Sequence, residues 1–184
     1  MTPESASQTA GPFLHIGLTP NACGLPVPGG DLGAAMLTGP ATGERVVLSL
    51  RVIDGAGAPV ADALVEAWQP DAAGRFPGTP GADPHVSGFG RAAADAQGRL
   101  RFETVRPGAA APAAPHVTLM IFARGVNMGL HTRAYFDGDP RNPDDPLLQA
   151  LRPRAETLLA RPRDGAWHLD VRLQGDGETA FLDV

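Results

Sequence analysis

The chain has 184 residues, a formal net charge of −5, 43% apolar residues, 23 Gly and 19 Pro. That length suits one domain, or one domain with an arm; Gly and Pro at roughly twice their usual share break helices and exclude a helical bundle, while the apolar share excludes a disordered chain. The acidic balance argues against a nucleic-acid partner, and because every one of the 15 basic residues is Arg, a Walker A loop, a Schiff-base lysine and a Ser-Lys dyad are excluded.

No apolar run approaches the roughly 18 residues of a membrane span, and the N-terminus lacks a basic stretch followed by an apolar one. Cys23 stands alone, so no internal disulfide forms, and its loop offers no base motif to activate it. The expected setting is the cytoplasm, with no membrane.

In chain order, residues 1–19 show neither the strand nor the helix period. Ser7-Gln8-Thr9-Ala10-Gly11-Pro12 is turn chemistry ahead of the apolar piece Phe13-Leu14-His15-Ile16. This predicts an extended arm. Residues 20–43 are Gly- and Pro-rich loop, long enough to cover a partner or a site. The division expected is therefore an arm and loop segment, 1–45, packing on a partner, and a strand domain, 46–184.

Val46, Leu48, Leu50 and Val52 alternate with Val47, Ser49, Arg51 and Ile53, which is the strand period. Asp54-Gly55-Ala56-Gly57-Ala58-Pro59 turns the chain into a second strand at 61–68. Asp71-Ala72-Ala73-Gly74 turns it again, and residues 77–87 read as loop. Asp95-Ala96-Gln97-Gly98 leads into a strand at 99–105. Residues 117–122 are almost continuously apolar, which predicts a strand buried on both faces. A strand at 130–136, an acidic Pro loop, a helical turn after Asp145, an alternating strand around Trp167, Leu169, Val171 and Leu173, and a short final strand at 179–183 complete the reading. About seven short strands predict an all-β, antiparallel sandwich or barrel with long loops.

Common site types are absent. There is no G-x-S-x-G and no H-E-x-x-H, Gly88-Phe89-Gly90-Arg91 lacks the third glycine of a dinucleotide loop, and the five His are scattered. On these grounds alone a non-enzymatic β-sandwich binding module remains open.

The ordered local strings carry more. The arm 7–17, Val65-Glu66-Ala67-Trp68-Gln69-Pro70-Asp71, Gly88-Phe89-Gly90-Arg91, Ala114-Pro115-His116-Val117, Phe122-Ala123-Arg124-Gly125, His131-Thr132-Arg133, and Leu173-Gln174-Gly175 with Thr179-Ala180-Phe181 together resemble the intradiol ring-cleavage dioxygenases, and within them the alpha chain of two-chain members. The resemblance spans nearly the whole chain. It implies a β-sandwich and, in catalytic chains, a ferric ion held by two Tyr and two His. Phe76, Ala110, His116 and Thr118 stand at the matching positions here. Tyr135 is the single tyrosine, so two tyrosinates cannot come from this chain under any alignment, and an active homomeric enzyme with an unusual ligand set is disfavoured.

The resemblance therefore implies a non-catalytic chain beside a beta chain that holds Fe(III), in a large alpha-beta hetero-oligomer. The implied reaction opens protocatechuate, a carboxylated catechol, with O2. Arg124 is implied at the carboxylate end of the shared pocket, with Thr9, Gly11 and Pro12 lining it. Blander readings stand beside these. Arg124 also reads as half of an ion pair, His116 as a hydrogen-bonded core residue, Arg133 and His131 as packing or interface, and Trp68 and Trp167 as core or interface.

Overall fold

A computed structural model describes residues 9–183; the Ser7-Gln8 part of the arm string lies outside the described residues. Eight strands form: β1 Arg45–Ile53, β2 Leu64–Trp68, β3 Phe89–Ala93, β4 Arg99–Val105, β5 His116–Phe122, β6 Leu130–Phe136, β7 Leu159–Arg163 and β8 Ala166–Arg172. They hydrogen-bond in the order β3-β2-β5-β6-β7-β8-β1-β4. The end strands β3 and β4 approach each other, so the sheet curls nearly closed.

The prediction of purely antiparallel pairing is corrected. β1 runs parallel to β8, and β6 parallel to β7. Parallel neighbours need a long crossover, and residues 137–158 supply one between β6 and β7, carrying α2 (Pro146–Ala150) and two short 3-10 turns. The β6–β7 contact is only two residue pairs long, Tyr135 with Leu159 and Phe136 with Ala160. It is the seam between the two halves of the curled sheet.

The main core fills the interior, and a smaller cluster of Ala114, Tyr135, Leu148, Leu158 and Ala180 stands apart from it. Leu48, Leu50 and Val52 of β1 face Val65 and Ala67 of β2 and Val117, Leu119 and Ile121 of β5. Alternation in β1, β4 and β5 sends every second side chain inward. β5 is a further correction: it is buried on one face only, because His116, Thr118, Met120 and Phe122 lie on a half-covered outer face.

Three turns repeat one device. Asp54, Asp71 and Asp95 each accept, through Oδ1, the main-chain N–H groups two and four residues on. Gly57, Gly74 and Gly98 then take the left-handed conformation that closes the turn.

The extended-arm reading is also corrected. Pro12–Leu18 is a seven-residue helix, α1. Pro12 at its first position presets the helical φ, and Gly11 caps it in extended conformation. A helix this short is marginal by itself; His15 ties it down by donating from Nε2 to the Asp62 carbonyl at 3.0 Å. β3 and β7 were missed because Gly90 interrupts one and Pro162 the other. Gly90 is required where it stands, since a Cβ there would meet Met36 and Phe102 below 3.0 Å. Residues 179–183 form only a single bridge, Leu182 to His131.

Burial predicts contrasting costs. Leu119→Ala, at a fully buried position, lowers the free energy of unfolding in urea by about 2–5 kcal/mol. Leu32→Ala, at a side chain 73% exposed, changes it by less than about 0.5 kcal/mol in the isolated chain.

Candidate functional site

Two ends of one strand pair hold the residues that the sequence singled out. β2 and β5 are antiparallel, with Leu64 opposite Phe122. Continuing that register two residues beyond both strands brings Asp62 opposite Arg124. The Arg124 N–H donates to Asp62 Oδ2 at 3.3 Å, and the guanidinium Nε lies 3.6 Å from the same oxygen. The neighbouring Gly125 N–H donates to Thr9 Oγ1. Arg124 is 69% exposed and borders a cleft of about 470 Å³ that Asp62, Gly125, Val126, Leu130 and Leu173 also line.

Thr9 and Arg124 are thus brought together, as the sequence grouped them. Gly11 and Pro12 are exposed and form the start of α1, between Thr9 and His15. Both of those flanking residues bond to the Asp62–Gly125 region. Asp62 and His15 were not singled out as site residues. No local motif marks Asp62; only the strand register places it.

At the opposite end of the pair, Trp68 lies opposite Thr118, Thr118 opposite Arg133, and His116 opposite Tyr135. Phe76 stacks on Trp68 with ring centroids 6.0 Å apart. Ala110 sits in the β4–β5 loop, whose Ala109 carbonyl packs against Gly74 of the turn before Phe76. The four positions of interest therefore cluster at one end of β2 and β5. Trp167 packs edge-on against Phe136, and Cys23 is exposed.

A hydrogen-bonded network fills this end. Asp145 is fully buried and accepts from the N–H groups of Ala114, Leu147 and Leu148. It thereby caps α2 and fixes the Ala114-Pro115-His116 entry to β5. The Tyr135 hydroxyl donates to Asp145 Oδ1 at 3.3 Å and accepts from Arg133 Nη1 at 3.0 Å. Burial pushes the Tyr135 phenol up to about 12, against the opposing pull of Arg133. The His116 ring lies 5.1 Å from the Tyr135 ring, and its Nδ1 is 2.8 Å from the Ala114 carbonyl. Burial, aided by the Arg133 charge, lowers the His116 pKa.

Known proteins place this architecture. A family model described as dioxygenase matches residues 30–112. The alpha chain of protocatechuate 3,4-dioxygenase from Pseudomonas putida is 40% identical over the whole of this chain and 98% of its own length. The chain belongs to the intradiol ring-cleavage dioxygenase family. The beta chain of protocatechuate 3,4-dioxygenase from Burkholderia cepacia is 39% identical across 68% of this chain and 58% of that one. The dioxygenase domain of a carbohydrate-binding fusion protein from Streptomyces sp. SirexAA-E superposes with a TM-score of 0.62 at 25% identity, covering 80% of this chain and 88% of that one.

Intradiol dioxygenases use iron, and the residues here do not fit a ferric ion. Phe76 and Ala110 bring no donor atom, Thr118 brings a neutral hydroxyl, and His116 brings one imidazole whose Nδ1 is already engaged. A hard ferric ion calls for anionic oxygen donors. The single phenol, Tyr135, keeps its proton and spends its hydroxyl on Asp145 and Arg133.

A pH dependence follows from His116. Its folded pKa lies below the unfolded value of 6.5, so below that pH the unfolded chain binds more protons than the folded one. The stability is present above pH 6.5 and is lost as pH falls from there through the folded pKa. Urea midpoints taken at about pH 8 and about pH 5 will show this loss in the native chain; His131, whose pKa burial also lowers, adds to it in the same sense, and His116→Gln will reduce it.

Proposed function

We propose that this chain is the alpha, non-iron-binding subunit of a protocatechuate 3,4-dioxygenase. With a beta chain holding Fe(III), the complex cleaves protocatechuate between its hydroxylated carbons with O2, giving 3-carboxy-cis,cis-muconate. The full-length identity to alpha chains supports the assignment. The observation that carries the division of labour is the donor set: four clustered positions offer one imidazole, one hydroxyl and no phenolate.

This chain's own part is to complete the pocket. A substrate carboxylate leaving water needs a cation or several N–H donors. Arg124 offers a planar fork whose outer edge is open, on a main chain held by Asp62 and Thr9. The Thr9-to-Pro12 turn beside it contributes wall and excludes water. The metal of the partner supplies activation of the catechol toward O2; the residues of this chain orient the acid end of the ring.

The segment before β1 is proposed to pack on that partner. Phe13, Ile16, Leu25, Val27 and Leu32 are all exposed there, Phe13 by 84%. Such a run of solvent-facing apolar side chains is the mark of a surface that another chain covers. A large, mostly apolar interface of the obligate kind fits it. Among the described residues no helix is long and apolar enough to cross a membrane.

Two measurements test this. Purified by itself, the chain binds no stoichiometric iron and shows no tyrosinate-to-iron colour; a purple or burgundy preparation of this chain alone overturns the assignment. In the two-chain complex, Arg124→Ala weakens transition-state binding of the carboxylated catechol by about 1.5–3 kcal/mol relative to plain catechol, read from kcat/KM. Equal losses for the two substrates remove Arg124 from the carboxylate role.

A further inference from the structure

The Arg124 corner and the arm are joined by one residue. Asp62 uses its carboxylate to hold the Arg124 N–H and to face the guanidinium Nε, at 3.3 and 3.6 Å. Its carbonyl oxygen accepts from His15 Nε2 on α1, at 3.0 Å. Because a carbonyl only accepts, Nε2 is the donor of this bond, and Nδ1 faces the Thr19 hydroxyl at 3.2 Å. Thr9, at the other end of the same arm turn, closes the circuit on the Gly125 N–H. The chain from Thr9 to His15 is thus anchored twice to the corner that carries Arg124, and Gly11 and Pro12 lie inside the bracket.

Stability does not account for the pair. Both side chains are well exposed, 69% for Arg124 and 40% for Asp62, and an exposed pair at this separation contributes little to folding. Its consequence is directional. With Asp62 on the Nε side, a second carboxylate meets the guanidinium through its two terminal nitrogens, the edge whose N–H groups donate to both oxygens at once. The same carboxylate fixes the peptide from which the side chain springs.

We propose that Asp62 is a positioning residue: it couples the docked arm to Arg124, aims the guanidinium end-on, and thereby sets the preference for a catechol that carries a carboxylate. This rests on the reading of Arg124 as the carboxylate-binding group. Asp62 acts through Arg124 and touches neither the substrate nor the metal.

The test uses the two-chain complex, with KM and kcat measured for protocatechuate and for plain catechol. Asp62→Ala raises the ratio of the two KM values, carboxylated over plain, on the order of tenfold, and the change falls on KM rather than kcat. Asp62→Asn keeps an oxygen for the Arg124 N–H and recovers most of the ratio, whereas a role confined to charge predicts no recovery. Should Asp62→Ala fail to assemble, His15→Ala cuts the arm end of the same link and shifts the ratio in the same direction. An unchanged ratio in Asp62→Ala, or in His15→Ala where Asp62→Ala does not assemble, overturns the proposal. Arg124→Ala separates the two layers: if it too leaves the ratio unchanged, the carboxylate reading itself falls; if it shifts the ratio and Asp62→Ala (or His15→Ala in its place) does not, only the coupling falls.

Discussion

Leu64 lies opposite Phe122 and Trp68 opposite Thr118, and this register between β2 and β5 sets the geometry at both ends of the candidate site. Beyond one end it brings Asp62 to Arg124; at the other it lays Trp68, Thr118 and Arg133 side by side. The register is held by burial. Val65, Ala67, Val117, Leu119 and Ile121 all point into one core, and a slip of one residue would turn every one of them outward. The polar geometry on the outer face is therefore inherited from apolar packing on the inner face.

The cluster around His116 shows how this end of the candidate site is ordered. Asp145 is buried and satisfied by four donors, Tyr135 links it to Arg133, and the imidazole packs on the phenol. A buried carboxylate with that many charge-assisted hydrogen bonds is stable where an unpaired one would not be. The local backbone is thus fixed by hydrogen bonds internal to the chain. What the four positions lack is a phenolate, while the backbone that presents His116 is well held.

Much of this was legible in advance. The alternation of Val46, Leu48, Leu50 and Val52 marked β1, and the Asp-x-x-Gly turns marked its boundaries and those of β4, because side-chain period and turn chemistry are local properties. Arg124 and Thr9 were legible as a group only through resemblance. β3 and β7 were hidden because Gly90 and Pro162 argue locally against strands, and tertiary packing overrides that argument. The helix Pro12–Leu18 was hidden because seven residues do not form a stable helix without the His15 anchor. The two parallel pairings were hidden because strand direction in the sheet depends on long connections, not on the strands themselves.

The sequence by itself determined the class of the fold and the limit on the metal: Gly and Pro content with alternating apolar residues demands strands, and a chain with one phenol cannot furnish two phenolates. The tertiary structure alone decided which residues stand together. Asp62 and Arg124 are 62 positions apart, and His15 and Asp62 are 47 apart. No local pattern encodes such separations, because they arise from the cooperative burial of a core that many strands share.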